Sequence, residues 1–269
     1  MHRTKTDSVG GRPVRWIEAG ERGSTDVIVW LHAFPLSAPM WAPQLAATRP
    51  GWRAVAPDLA GFGGSADHAG TPSIDDFARD VAALLDHLAI PGAVIGGLSM
   101  GGYAALAFHR IATARVRALV LADTRSAADT AEGRTARETM RGVVASRGPR
   151  GVADEMLPRL LGATTQRTHP GVAVAVRAMI QTNAAEGIDR AIQRLRDRPD
   201  ATAQLARIAV PTLVVVGEED AITPVDDARA LARGIAQASL TILPGAGHLS
   251  NLETPDAFNQ VVNSWLGNL

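Results

Sequence analysis

No cysteine occurs among the 269 residues of the chain. The sequence therefore forms no disulfide bond, offers no thiolate nucleophile and holds no metal through sulfur. Any covalent or acid–base chemistry must use serine, histidine and carboxylate side chains. We accordingly expect no metal site and no cofactor.

An excess of charge of either sign is also absent. Lysine and arginine together number 27, as do aspartate and glutamate, and no basic run stands out. A nucleic-acid surface or a polybasic membrane patch needs clustered positive charge, so this balance argues against both. We expect a small-molecule partner, and the sequence leaves the oligomeric state open.

Long apolar runs are missing as well. No stretch approaches the roughly 20 apolar residues of a membrane span. Residues 1–11 are polar where a secretory signal would be apolar. We therefore expect no membrane association and a cytoplasmic location.

The apolar residues that are present, 46% of the chain, form short runs separated by helical patterns. Continuous runs rich in β-branched residues are typical of strands buried on both faces of a mainly parallel sheet. They occupy residues 27–31, 54–56, 93–95, 119–121, 213–216 and 240–243. Their alternation with helices predicts an α/β fold.

Residues 125–207 interrupt this alternation, because only helical patterns occur there. An all-helical insertion between two strands is expected to lie over the carboxyl edge of the sheet, where open α/β sheets bind ligands. We predict a core of residues 1–124 and 208–269 and a helical cap of residues 125–207. Two ordinary crossover helices with long loops are the alternative.

The segment Gly97-Leu98-Ser99-Met100-Gly101 follows one of the apolar runs and precedes a helical stretch of small residues. A G-x-S-x-G pattern in this place is typical of a nucleophile elbow. The glycines permit a turn too tight for side chains beside the serine, and the positive end of the helix faces the reacting oxygen. A glycine-rich turn that carries an incidental serine is the alternative.

A serine hydroxyl is a weak nucleophile at neutral pH and needs a base that is oriented by an acid. Asp220 and His248 each follow a late apolar run, so both are expected at the sheet edge that carries Ser99. Taken singly, Asp220 could cap a turn and His248 could be a solvated loop residue. Asp123, which follows the run at 119–121, is the alternative acid.

Attack by a serine creates a negatively charged tetrahedral intermediate, and a pocket that stabilises this anion requires backbone N–H donors. The loop His32-Ala33-Phe34-Pro35 follows the strand at 27–31, and its backbone can turn toward the serine. The predicted donors are the amides of Phe34 and Met100, and His32 is expected to hold the loop.

Substrate selection is expected to come from the cap and from apolar residues around the serine, which favours a small or medium acyl group. Arg125 is predicted either to pair with a substrate carboxylate or to be a solvated surface residue. The predicted substrate-contacting residues are Leu98, Leu249, Trp41 and Arg125.

These segments together resemble the α/β-hydrolase fold superfamily over nearly the whole chain. The chain order Ser99, Asp220, His248 is the order of its catalytic residues. Further matching segments are His32-Ala33-Phe34-Pro35, Pro57-Asp58-Leu59-Ala60-Gly61-Phe62-Gly63-Gly64-Ser65, Gly217-Glu218-Glu219-Asp220 and Gly245-Ala246-Gly247-His248. The resemblance implies an eight-stranded, mostly parallel sheet flanked by helices, with a helical cap inserted before the late strands. Through residues 210–253 the chain is most similar to small carboxylesterases and 3-oxoadipate enol-lactonases.

The resulting hypothesis is a serine hydrolase that cleaves a carboxylic ester or lactone through an acyl-enzyme on Ser99. A cofactor-free perhydrolase or acyltransferase and a C–C bond hydrolase are enzymatic alternatives on the same residues. A non-catalytic ligand receptor is the alternative from another class, because fold alone does not determine function.

Overall fold

A computed structural model describes residues 2–269, which form an eight-stranded sheet flanked by helices. The strands are β1 (Arg3–Val9), β2 (Arg12–Gly20), β3 (Val27–Leu31), β4 (Arg53–Pro57), β5 (Ala93–Leu98), β6 (Val116–Ala122), β7 (Thr212–Gly217) and β8 (Ala238–Leu243). Their order across the sheet is β1-β2-β4-β3-β5-β6-β7-β8. The contacts of β2 with β1 and β4 are antiparallel, and all other strand contacts are parallel. The predicted mostly parallel, eight-stranded α/β fold is confirmed.

The central strands are apolar because helices cover both faces of the sheet. Every residue of β3, β4, β5 and β7 is buried, so their sequences show continuous apolar runs instead of an alternation. The six strands predicted from such runs are all present. β1 gives no such signal, because it lies at the sheet edge and only Val9 of its seven residues is buried.

Ten α-helices connect or flank the strands in the described part of the chain. They are α1 (Ala42–Ala46), α2 (Ile74–His87), α3 (Met100–Ile111), α4 (Ala131–Leu160), α5 (Ala163–Thr168), α6 (Pro170–Gln181), α7 (Ala185–Asp197), α8 (Val225–Gly234), α9 (Ser250–Glu253) and α10 (Pro255–Leu266). None of the helices within residues 2–269 is both long and apolar enough to cross a membrane.

Four of these helices, α4 to α7, lie consecutively between β6 and β7 and are followed by a 3-10 turn at Thr202–Arg207. We call residues 131–207 the helical segment. Its α7 is fixed to the rest of the protein by the fully buried Arg194, whose guanidinium donates to Oδ1 of Asp67 at 2.5 Å and to Oδ2 of Asp76 at 3.2 Å. The division of the chain into a core and a cap stays a prediction.

Close packing of α3 against β3 depends on Gly101. A Cβ at this position would lie 2.0 Å from the carbonyl oxygen of Leu31, so only glycine permits the approach. We expect Gly101→Ala to lower the free energy of unfolding by ~1–3 kcal/mol, measured by urea denaturation, because the helix must move away from the strand.

Gly142, in the first half of α4, is the matched control for this substitution. A Cβ there would meet nothing within 4 Å. Gly142→Ala should therefore leave stability unchanged or raise it by up to ~1 kcal/mol through helix propensity. Equal effects of the two substitutions would contradict the packing argument.

Candidate active site

The loops after four neighbouring parallel strands emerge at one edge of the sheet. In the strand register Leu98 at the end of β5 lies beside Ala122 at the end of β6. Gly217 at the end of β7 lies beside Leu243 at the end of β8. Since β6 and β7 are also paired in parallel, the carboxyl ends of β5, β6, β7 and β8 form one continuous edge. Ser99, Asp123, Asp220 and His248 all follow these ends.

Ser99 occupies the sharp turn between β5 and α3. Its backbone has φ 54° and ψ −111°, a left-handed conformation that costs a non-glycine residue ~1–3 kcal/mol. The turn is held by the Ser99 N–H, which donates to the Ala122 carbonyl at 2.9 Å. A Cβ on Gly97 would lie 2.1 Å from the carbonyl oxygen of Gly101, which explains the glycines on both sides of the serine.

Asp220 and His248 form a buried carboxylate–imidazole pair. Nδ1 of His248 lies 2.8 Å from Oδ2 of Asp220, and Asp220 also accepts hydrogen bonds from the Ile222 and Thr223 amides and the Thr223 hydroxyl. Burial acts to raise the pKa of Asp220, but the attraction of His248 and these hydrogen bonds outweigh it and hold the pKa below its usual value. The ionised carboxylate therefore favours a proton on Nδ1 of His248 and leaves Nε2 free to act as a base.

No hydrogen bond joins Ser99 to His248 in this structure. Neither Oγ of Ser99 nor Nε2 of His248 forms a hydrogen bond with any of the residues 2–269. Such contacts commonly tighten only when substrate is bound.

Two buried amides at this edge lack an acceptor. Among residues 2–269, neither the N–H of Phe34 in the loop after β3 nor that of Met100, the first residue of α3, has a hydrogen-bond partner. Both residues are buried. Unpaired backbone donors of this kind are what the stabilisation of an oxyanion requires.

His32 is held as a structural residue. Its Nδ1 lies 3.0 Å from the carbonyl oxygen of Ala33, and its Nε2 accepts a hydrogen bond from the Leu59 amide at 2.9 Å. Burial lowers the pKa of His32 to about 4. The neutral ring therefore joins two loops through both nitrogens and has neither nitrogen free to act as a second base.

Asn183, between α6 and α7, is a residue that the sequence analysis did not identify. Its Nδ2 donates to the carbonyl of Pro35 at 2.9 Å, and its Oδ1 accepts from the Gly63 amide at 2.9 Å. The helical segment thereby holds the loop that carries Phe34. No local sequence signal marks this asparagine, because its two partners are more than 100 residues away.

The structure gives Trp41 a role in the core. Its indole is fully buried and stacks on Trp30 at 4.5 Å between ring centroids, with Phe258 of α10 at 6.1 Å. Leu98 and Leu249 are fully buried as well. None of these three side chains lines the cavities of about 240 and 370 Å³ that Arg125 borders. A contact of any of the three with substrate stays a prediction.

A cavity of about 240 Å³ is lined by Phe34, by residues of α4 and by Ile222 of the Asp220 loop. Arg125 lines it, and Nη2 of this residue donates to Asp129 at 2.9 Å. A larger cavity of about 370 Å³ lies against α3 and residues 198–201 and shares Arg125, but it contains no residue of the Ser99, Asp220 or His248 loops.

Asp123, the alternative acid, serves a different purpose from Asp220. Its Oδ1 accepts from the Gly217 amide at 2.8 Å and its Oδ2 bonds to the Ser250 hydroxyl, so it joins the loops that carry Asp220 and His248. Its carboxyl makes no hydrogen bond to His248 within the described chain. Complete burial, reinforced by the charge of Asp220, raises the pKa of Asp123 well above its usual value, so its neutral form is favoured over a wider pH range than that of an exposed aspartate.

This protonation state predicts how Asp123→Asn affects stability. A folded-state pKa above the unfolded one means that the folded protein binds more protons between the two values, so wild-type stability falls as pH rises through that window. An amide keeps both hydrogen bonds and lacks this cost. Asp123→Asn should therefore match wild type near pH 4 and exceed it in free energy of unfolding as pH rises.

Urea unfolding of both proteins at several pH values between 4 and 8 measures this difference. Asp256→Asn, which changes an exposed acid at the start of α10, is the control and should show no gain that grows with pH. A difference in stability between variant and wild type that does not grow as the pH rises would contradict the raised pKa of Asp123.

Comparison with known proteins places this geometry in a family. The chain is 35% identical to a solved esterase from Thermogutta terrifontis with malate bound, covering 99% of this chain and 98% of that chain with a TM-score of 0.93. It is 30% identical to 3-oxoadipate enol-lactonase 2 of Acinetobacter baylyi, over 88% of this chain and 87% of the relative.

A third relative carries a different activity in its name. The dihydrolipoyllysine-residue acetyltransferase component of the acetoin cleaving system of Pseudomonas putida is 32% identical, over 96% of this chain and 68% of the relative. The model of the alpha/beta hydrolase family matches residues 28–261. The chain belongs to the alpha/beta hydrolase family.

Proposed function

We propose that this protein is a serine hydrolase that cleaves a carboxylic ester or lactone through an acyl-enzyme on Ser99. The observation that carries the proposal is the buried His248–Asp220 pair, 2.8 Å apart, at the sheet edge where Ser99 occupies a strained turn. The esterase and enol-lactonase relatives support the same reaction class.

The proposed reaction has two steps. Oγ of Ser99 attacks the carbonyl carbon while Nε2 of His248 takes its proton, and the amides of Phe34 and Met100 stabilise the oxyanion. The bond to the leaving oxygen then breaks as His248 returns the proton to it. In the second step a water molecule, deprotonated by His248, attacks the acyl-enzyme and releases the acid and the free serine.

Residues 125–207, which include the helical segment, are proposed to act as the cap over this site, with residues 1–124 and 208–269 as the core. Support comes from two carboxylates that connect it to the catalytic loops. Glu253 accepts from the amides of Gly162 and Leu249, at 2.8 and 3.0 Å. Glu219 accepts from the amide of Thr164 at 2.8 Å. These contacts fix the cap directly to the loops of His248 and Asp220.

Replacement of the nucleophile tests the proposal. We expect sustained hydrolysis of short p-nitrophenyl esters, from acetate to octanoate, by wild type, and a loss on the order of 10⁴-fold in Ser99→Ala. Ser146→Ala, which changes an exposed serine on α4, is the matched control and should keep wild-type rates. Near-normal turnover by Ser99→Ala would refute the assignment, and a single burst without turnover by wild type would favour a receptor.

Acyl transfer is a second candidate, because one relative is named an acetyltransferase. It uses the same acyl-enzyme and differs only in whether water or another nucleophile accepts the acyl group. If the protein is a hydrolase, added methanol should divert only a minor fraction of the acyl group to methyl ester. Product analysis by chromatography that shows methyl ester as the main product in dilute methanol would favour the transferase.

A further inference from the structure

The cavity beside Phe34 contains an unusual number of positive charges. Three arginines line it, together with two acids and several apolar side chains. The arginines are Arg125, Arg137 and Arg159, and the acids are Asp129 and Glu155. Because a neutral acyl group needs no charge in its pocket, this lining calls for a specific explanation.

Asp129 cannot neutralise the arginines around it. Its carboxylate accepts from Arg125 at 2.9 Å, from Arg137 at 3.0 Å and from the buried Arg198 at 2.8 Å. Burial acts to raise the pKa of Asp129, but the charges of Arg137 and Arg198 outweigh it and keep the pKa below its usual value. One negative charge is therefore shared among three positive ones.

Neighbouring acids do not restore the balance. Asp227 lies 4.0 Å from Nη1 of Arg125, and Asp200 lies near Arg198, but neither acid lines the cavity. Glu155 bonds at 2.7 Å to Arg147, which does not line the cavity. The cavity therefore keeps an excess of positive charge beside the proposed oxyanion amide of Phe34.

Arg159, in the last turn of α4, is the arginine without a partner. Its guanidinium forms no hydrogen bond or ion pair with any residue in the described range 2–269, although it lines the cavity. Arg159 is exposed, and Gly162, three residues further along the backbone, is held to the His248 loop by Glu253. A free guanidinium on a fixed backbone is suited to bidentate binding of a carboxylate.

The rest of the lining fits the chain that would join this carboxylate to the reacting carbonyl. Met140, Met156 and Ile222 are apolar and line the same cavity as Phe34 and Arg159. A cavity of about 240 Å³ accommodates a short acyl chain with a terminal charged group.

We propose that Arg159 binds a carboxylate of the substrate, so that the preferred substrates are monoesters or lactones of short dicarboxylic acids. This inference rests on the proposed hydrolysis at Ser99. The carboxylate belongs to the acyl side of the substrate, and a carboxylate on the leaving alcohol is the alternative that the experiment separates.

Two acyl esters of equal length measure this selectivity. Mono-p-nitrophenyl glutarate carries a terminal carboxylate and p-nitrophenyl valerate does not. We expect the ratio of their kcat/KM values, glutarate over valerate, to fall about tenfold in Arg159→Met, because a charged hydrogen-bond pair is lost. Arg150→Met, on the same helix but outside the cavity, is the matched control and should keep the wild-type ratio. An unchanged ratio in Arg159→Met would overturn the proposal.

A second pair of esters distinguishes the two sides of the substrate. The butyrate esters of phenol and of 4-hydroxybenzoate differ by a carboxylate on the leaving alcohol. If Arg159→Met changes the ratio for this pair and leaves the glutarate ratio unchanged, the acyl-side assignment is wrong.

Binding without turnover separates this inference from the proposed function. Calorimetric titration of glutarate into Ser99→Ala should give a measurable Kd. This Kd should rise about tenfold in the Ser99→Ala, Arg159→Met double variant, and it should also rise with added salt. Hydrolysis of both acyl esters with no effect of Arg159 on the ratio or on glutarate binding would refute the inference alone. If the protein hydrolyses neither ester but binds glutarate in a way that depends on Arg159, the proposed hydrolase function is wrong and the proposed carboxylate site is supported.

Discussion

Parallel pairing of β5, β6, β7 and β8 is the constraint on which the rest of the site depends. Parallel strands end at the same edge, so residues far apart in sequence become neighbours without any contact between their own side chains being required. The turn at Ser99 adds a second requirement, since its backbone approaches its surroundings so closely that side chains are excluded at Gly97 and Gly101. The sheet determines where the loops lie, and the glycines allow the backbone of the Ser99 turn to lie close to its neighbours.

Buried carboxyl groups at this edge are stabilised in two opposite ways. Asp220 is surrounded by donors and by His248, so its charged form is favoured and the imidazole is held in one orientation. Asp123 has complete burial and a charged neighbour, so its neutral form is favoured and it joins the two loops through hydrogen bonds. Two aspartates a strand apart therefore have different roles because their environments differ, although each follows a strand in the same way.

The helical segment contributes to the site through fixed contacts. Asn183 holds the loop of Phe34, and Glu253 and Glu219 bind amides of residues in α5 or just before it. These links join the segment to three of the loops at the sheet edge. The same segment carries Arg159 and Arg137, so it contributes both to the charge of the cavity and to the contacts that hold these loops.

The sequence by itself determined the elements with strong local signals. Continuous apolar runs identified β3 to β8, most of which are buried, and glycine spacing identified the turn at Ser99, because burial on both faces and tight turns restrict residue type locally. β1 and β2 escaped this reasoning, since the exposed edge strand β1 needs no apolar run and charged residues interrupt the apolar residues of β2. The order of Ser99, Asp220 and His248 indicated a hydrolase, although order alone does not bring side chains together.

Only the tertiary structure decided which of these residues meet. In it His248 pairs with Asp220, whereas Asp123 forms hydrogen bonds with the Gly217 amide and the Ser250 hydroxyl. It also placed Trp41 in a stack with Trp30. The sharing of Asp129 among several arginines likewise depends on a contact with Arg198, 69 positions away. Such contacts depend on how distant elements pack, and the composition of a short segment carries no information about its distant partners.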